Sequence, residues 1–338
     1  MKIKSQKREG NKFFFEVEED YSSFQAAFEK AMVKVGKEIK VPGFRPGKAP
    51  REMIEKAVNP EYVANHAAED LIGENYPKLI EETKIEPVDY PKLEIVQLEK
   101  DKPFTYKVTV EVYPEIKLGK YKGLKATKKA IAVEEAEVLK VLGNLQERLA
   151  VVNAEGKKDL LPLDDEFATK VSKFGTLAEL KQEVLTAIEN EKKAESESDL
   201  RNKLIAAASD EAKVEIPAAM VEREVNLMLD ELKTSLAQSG LTLEDYLKGA
   251  KREEKEVREE MKKAAEIRVK GKVVLRAVAE AEKLMVSPEE IEAEIKQFDG
   301  KLEESVKKYV EEYLLRKKAL DLLVEKASLK EEEKKNEE

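Results

Sequence analysis

Residues 1–19 read MKIKSQKREGNKFFFEVEE, and the alternation inside this stretch decides the architecture that follows. Phe13, Phe15 and Val17 alternate with Phe14, Glu16 and Glu18, the period of two that a half-buried strand requires. Ile3 begins a shorter strand, and Glu9-Gly10-Asn11 supplies a turn between the two, so the stretch predicts a hairpin. A second hairpin is predicted from Lys92–Leu98 and Phe104–Val112 around Glu99–Pro103, where Leu93 and Ile95, and then Thr105, Lys107 and Thr109, give the same period-two contrast. The two hairpins share one antiparallel sheet. Between them, Asp20 or Ser22 caps a helix carrying Phe24, Phe28, Met32 and Val35, and Pro60 opens another carrying Val63, Leu71 and Leu79. Residues 1–112 therefore predict a small α+β domain, an antiparallel sheet with inserted helices.

After Tyr113-Pro114 the pattern changes. Residues 113–132 read as an extended linker. From Val133 to residue 330 the chain is rich in Glu, Lys, Ala and Leu with apolar residues three or four apart, which predicts an all-α, elongated domain of long helices broken near Pro162, Pro217, Gly240 and Pro288. Ser287-Pro288-Glu289-Glu290 places an N-cap, a first-turn proline and acids at the positive end of the helix dipole, so a helix starts there. The charged run KEEEKKNEE from Lys330 lacks apolar anchors, and residues 331–338 are expected to be a disordered tail.

Composition removes several functions. Among 338 residues there is no Cys, no Trp and a single histidine, His66, which excludes disulfides, thiolate metal sites, a Cys nucleophile and paired-imidazole catalysis. No metal or other cofactor is expected, and His66 reads as an ordinary helix residue. Neither a Walker sequence nor G-x-G-x-x-G occurs, so no nucleotide drives a cycle. A net charge of −9 argues against wholesale electrostatic binding of nucleic acid. The start of the chain holds no apolar run of signal-peptide length, and no 18 uncharged apolar residues occur together, which predicts a cytoplasmic protein without a membrane partner.

One segment stands apart. Residues 41–50, VPGFRPGKAP, hold three prolines and two glycines between two helical patterns, a constrained loop that carries Phe44 beside Arg45 and Lys48. From Lys30 to Lys56 eight basic residues face three acidic ones, a local net of +5 inside an acidic chain, and Lys30, Lys34 and Lys37 fall on one helical face leading into the loop. Two readings of this segment stay open on spacing alone. Either Phe44 and the cations form a docking surface for RNA phosphate or an acidic protein, or the ring folds back as a small staple and the lysines are a solvated face.

The decapeptide is similar to the ribosome-docking signature of the trigger factor family, bacterial nascent-chain chaperones, approximately G-F-R-x-G-x-x-P; Gly43, Phe44, Arg45, Gly47 and Pro50 match it. IEPVDYP at 85–91 resembles the family's N-terminal domain, and LPLDDEFATKVSKFGTLAELK at 161–181 resembles the segment with which its helical domain resumes. The resemblance implies docking at the ribosomal exit tunnel, against a tunnel-rim protein and nearby ribosomal RNA, through Gly43, Phe44, Arg45, Pro46, Gly47, Lys48 and Lys37. Pro46 stands where family members often carry another basic residue, so Arg45 and Lys48 must supply the charge. It implies helices shaped as arm-like projections around a cradle for nascent or unfolded polypeptides, and a homodimer off the ribosome. Met220, Met228, Leu236, Tyr246, Tyr309, Tyr313 and Leu314 are the candidate client contacts, each with core packing as its other reading.

The chain departs from the family in one respect. The usual FKBP-like prolyl isomerase domain is missing near residues 154–159, where Glu155-Gly156-Lys157-Lys158 leads directly into Asp159-Leu160-Leu161-Pro162, and residues 122–166 contain no aromatic side chain to line such a pocket. The expected function is an ATP-independent chaperone and not an enzyme. Two other readings remain: an isomerase of the full family architecture, and a helical scaffold with no clients. Within the helical half, Val221, Val225, Met228, Leu229, Leu232 and Leu236 read as a core stripe, and Val269, Val273, Val274, Leu275 and Val278 wrap further around their helix, as a central element would.

Overall fold

A computed structural model describes residues 1–39, 42, 44, 50–99, 101–152, 158–297 and 303–331. Two compact units divide the chain, each built from two stretches: residues 1–117 with 214–273, and residues 118–213 with 274–338. Packing thus groups residues 214–273, expected to belong with the other helices, with the N-terminal sheet.

In the first unit, β1 (Lys2–Glu9) and β2 (Lys12–Glu19) form the first hairpin, and α1 (Tyr21–Glu38), α2 (Arg51–Ala57) and α3 (Pro60–Thr83) precede the second, β3 (Lys92–Gln97) with β4 (Phe104–Glu111). All pairings are antiparallel and the strand order is β1-β2-β4-β3. The turn at Gly10 needs its positive φ of 56°, which glycine adopts without a Cβ clash. Alternation puts Phe15, Val17, Phe104, Tyr106, Val108 and Val110 on the sheet face covered by α1 and α3, where Phe24, Met32, Val35, Val63, Leu71 and Leu79 meet them. Phe104 sits 5.3 Å from the Phe24 ring and 5.1 Å from that of Tyr106. Asn59 caps α3 by accepting from the Glu61 N–H at 2.9 Å, with Pro60 in the first turn. Glu19, 1% exposed, accepts from Asn75 Nδ2 at 2.7 Å, and burial together with this carboxylate holds the Tyr106 phenol well above its usual range.

The helical stretch of this unit is α7 (Ala218–Gln238), α8 (Leu243–Ala250) and most of α9 (Glu254–Ala281). Val225 and Leu229 of the expected stripe are buried, whereas Val221, Met228, Leu232 and Leu236 are half-buried. Glu224 is also buried; Lys272 and Arg268 of α9 pair with it, the Arg268 contact at 3.8 Å. Arg223 donates to the Val88 carbonyl at 2.7 Å, and the Ala219 N–H donates to Glu111 Oε2 at 3.2 Å, so the start of α7 is capped by a strand carboxylate.

The second unit comprises β5 (Lys125–Lys128), α4 (Glu135–Leu149), the two-residue strands β6 (Val151–Val152) and β7 (Lys158–Asp159), α5 (Asp165–Val171) and α6 (Leu177–Glu211). The end of α9, α10 (Pro288–Gln297), α11 (Glu304–Glu325) and β8 (Ser328–Glu331) complete it. Val269, Val273, Val274, Leu275 and Val278 are all buried, as a central helix requires. The helical half is not purely helical: β5 and β8 pair in parallel, Lys125 opposite Ser328, and β6 pairs with β7. Glu331, expected in the tail, therefore belongs to a strand, and the rest of that tail lies outside the described residues. Ser287 starts α10 as expected: its Oγ accepts from the Glu290 N–H at 3.3 Å and Glu290 accepts from the Ser287 N–H at 2.8 Å, a reciprocal capping box. The junction expected near residues 154–159 falls largely on residues outside the description.

Candidate functional site

The tip of the first unit is built where α1 ends and α2 begins. The Ile39 N–H closes α1 on the Val35 carbonyl at 3.1 Å. Pro50, held at φ −59° and ψ 149°, starts α2 by accepting from the Met53 and Ile54 N–H groups at 3.0 and 3.1 Å. The two helices approach closely at Gly36, where a Cβ would lie 2.8 Å from Ile54 Cδ1. Arg51 binds them together, donating to Glu29 at 2.8 Å and to Glu55 at 2.6 Å, and these carboxylates hold its guanidinium above even the usual arginine range. A shallow cavity of about 210 Å³ lies over this junction, lined by Met32, Val33, Lys37, Arg51 and Ile54 among others.

Phe44 is 39% exposed, so its ring is not sealed inside the domain. Gly43, Arg45, Pro46, Gly47 and Lys48 lie outside the described residues. The cationic face of α1 is narrower than its sequence suggests. Lys34 meets Asp70 of α3 at 2.6 Å, which raises its pKa, and Lys30 lies 3.8 Å from Glu74. Of the three, only Lys37, exposed, has no ion pair among the described residues. Val33 and Met53, 59% and 42% exposed, flank the tip, and sequence reading did not single them out.

The candidate client residues separate. In the first unit, Met220, Met228 and Leu236 are half-buried along α7 and Tyr246 of α8 is exposed; in the second, Tyr309 and Tyr313 of α11 are exposed. Leu314 is corrected: at 7% exposure it packs with Ile295 and Val310 in the small core between α10 and α11, because it falls one residue around the helix from Tyr313 and faces inward. Leu227, Ile267 and Met285 are exposed apolar residues that sequence analysis passed over; an unburied residue breaking an apolar stripe leaves no signal in composition.

His66 stacks edge-on against Tyr62 with ring centroids 4.5 Å apart and lies 3.6 Å from Glu69, a surface arrangement. Among the described residues no group of His, Asp and Glu could hold a metal ion, and no helix is long and apolar enough to cross a membrane.

The family model described as bacterial trigger factor protein matches residues 1–145, and that of the bacterial trigger factor C-terminus matches residues 176–332. Trigger factor of Bacillus licheniformis is 31% identical over an alignment covering 96% of this chain and 100% of the relative. That of Carboxydothermus hydrogenoformans is 31% identical over 97% of this chain and 99% of the relative. The first alignment spans 422 positions against a chain of 338 residues, so at least 84 positions of the relative face a gap. A solved structure described as "Promiscuous Substrate Recognition in Folding and Assembly Activities of the Trigger Factor Chaperone" shares the fold, with a TM-score of 0.53 over 96% of this chain and 99% of that one at 18% identity. With both ends of the chain matched by its models and relatives aligned along nearly their whole length, the chain belongs to the bacterial trigger factor family.

Proposed function

We propose that the chain is an ATP-independent cytoplasmic chaperone that docks at the ribosomal exit tunnel through the α1–α2 tip and shelters nascent or unfolded polypeptides on its helical surfaces. The observation that carries this reading is the half-exposed Phe44 ring at the tip, with the ammonium of Lys37, which makes no ion pair among the described residues, on the helix leading to it. An aromatic ring supplies area that gains by desolvation, and cations beside it meet phosphate or acidic side chains. Arg45 and Lys48 complete the positive charge in this reading, with Gly43, Pro46 and Gly47 shaping the loop. Clients are held by dispersed apolar side chains, Met220, Met228, Leu236 and Tyr246 in one unit and Tyr309 and Tyr313 in the other. Many small contacts give weak, sequence-tolerant binding that needs no nucleotide for release. Self-association of the free chain belongs to the same reading. Replacing residues 44–46 by alanine is expected to abolish co-sedimentation with purified ribosomes at unchanged helicity; undiminished co-sedimentation overturns the assignment of the tip.

We infer further that the chain is not a prolyl isomerase. Residues 146–175 are the whole interval between the two family-model matches, shorter than the roughly 50 residues a domain needs. They already include the end of α4, β6, β7 and α5. Isomerisation of a proline-containing tetrapeptide is expected at its uncatalysed rate, and catalysis above that rate refutes the inference.

A further inference from the structure

The chain contains no cysteine, so its seven methionine thioethers are the only sulfur atoms an oxidant can reach. Their surroundings differ widely. Met32 is buried, Met220, Met228 and Met261 are half-buried, Met1 and Met53 are 39% and 42% exposed, and Met285 stands apart at 83%. Oxidation to the sulfoxide is a reversible covalent change that turns a flexible apolar side chain into a polar one, and it proceeds fastest where the sulfur meets solvent.

Met285 lies on the short connection from α9 to α10, and the backbone there is held on both sides. The Leu284 N–H donates to the Ala279 carbonyl at 2.9 Å, the Ser287 N–H donates to Glu290 at 2.8 Å, and the Met285 carbonyl accepts from Lys318 Nζ at 2.8 Å. The exposed thioether therefore stands on a fixed base. Its neighbours line grooves instead: Leu284 lines one of about 250 Å³ together with Leu315 of α11, and Val286 lines one of about 660 Å³ together with Ile291 of α10. Val286 also packs against the Ile295, Val310 and Leu314 core. Met285 thus sits on the stretch that joins two grooves flanking α11, outside the core that holds α10 and α11 together.

We infer that Met285 is a reversible oxidation site that lowers the hold of the α10–α11 surface on unfolded polypeptides. The inference rests on the client reading proposed above and adds a regulated residue to it. Hydrogen peroxide transfers one oxygen to the sulfur: the O–O bond breaks, an S–O bond forms, sulfur loses two electrons and the peroxide leaves as water. Reversal takes two thiols, which become a disulfide while the oxygen leaves as water. Having no cysteine, the chain draws those thiols from a separate methionine sulfoxide reductase. A sulfoxide oxygen pressed against an apolar client segment loses its water without gaining a partner, so the contact that the thioether favoured becomes unfavourable. The fold is unaffected, because the side chain packs in no core.

The test treats the full chain with limiting hydrogen peroxide, removes the peroxide, and maps the sulfoxides by peptide mass. Met285 is expected to react at least about tenfold faster than Met32. Suppression of the aggregation of a guanidinium-denatured test protein is then compared before and after oxidation. The oxidised chain is expected to need about threefold more protein for the same suppression at unchanged helicity, and treatment with the reductase should restore it. Met285→Leu, compared with itself before and after the same oxidation, should keep its holding. Met285→Gln, which places a polar group there without any oxidant, should hold as weakly as the oxidised wild type. Met285 reacting no faster than Met32, or an oxidised Met285→Leu chain losing as much holding as the oxidised wild type, overturns the inference. A reduced wild-type chain that suppresses no aggregation overturns the client reading itself, and the sulfoxide map tells the two failures apart.

Discussion

The sheet and helices of residues 1–112 and the α10–α11 pair are stabilised on different scales. In the first, nineteen buried apolar residues, nearly all from β2, β4, α1 and α3, form one contiguous core. In the second, Ile295, Val310 and Leu314 are the buried centre, with Val286, Ile291 and Val306 around them, while Tyr309, Tyr313 and Met285 stay exposed nearby. Burial contributes about 25 cal/mol per Å² of apolar surface, so a core of three side chains leaves α10 and the part of α11 it packs on closer to local opening than the sheet, whereas Ala319 and Leu323 anchor the later turns of α11. The difference suits the division of labour proposed above. A docking tip needs a rigid base, whereas a surface that accepts many clients gains from elements that repack at small cost.

The largest effect that could break this comparison is in the sheet core. Phe104→Ala removes a ring 1% exposed and its contacts with Phe24 and Tyr106, and is expected to cost about 3–5 kcal/mol in urea unfolding of the first unit. Leu314→Ala should cost about 2–3 kcal/mol, read as faster hydrogen exchange confined to α10 and α11. Global loss of protection after Leu314→Ala would mean that the α10–α11 core is not an independent unit of stability.

A smaller effect sharpens the account of the tip's base. Gly36→Ala places a methyl group against Ile54, so the α1–α2 junction is expected to lose about 1 kcal/mol, part of which Ile54→Val, by removing Cδ1, should restore. A Gly36→Ala chain as stable as wild type would show that the helices separate there without cost.

The smallest effect depends on pH. Lys318, which donates to Glu290 at 2.7 Å, and the Ser287 N–H lower the Glu290 pKa below its ordinary 4.5. A depressed carboxyl pKa stabilises the folded state above the unfolded pKa and ceases to do so as pH falls through the folded one. Protection of the amides at the start of α10, taken relative to the intrinsic exchange rate at each pH, should therefore fall below about pH 4.5, and Glu290→Gln should flatten that dependence.

How much of this was legible in the sequence depended on range. Both hairpins, α1 and α3 were readable because Phe15, Val17, Phe24 and Val63 carry their period within a few residues, and Ser287 announced α10 through a local cap. α2 went unread because it has seven residues and buries none of them, so it has no stripe. β5 and β8 were missed for another reason: KATK and SLKE show no apolar alternation and find each other about two hundred residues apart. The break at Lys251 carries no glycine, since a lysine there adopts φ 53°. At the tip, Phe44 was legible as an unusual loop residue. The loss of Lys30 to Glu74 and of Lys34 to Asp70 was not, because α3 supplies those acids from across the fold.

The central claim is that the tip meets the ribosome while α10 and α11 remain open to clients, and hydrogen exchange of the chain with and without saturating ribosomes tests it most directly. The account predicts new protection in peptides spanning α1 and α2, with α10 and α11 exchanging as in the free chain. Protection gained in α10 and α11 while α1 and α2 stay unchanged would contradict it.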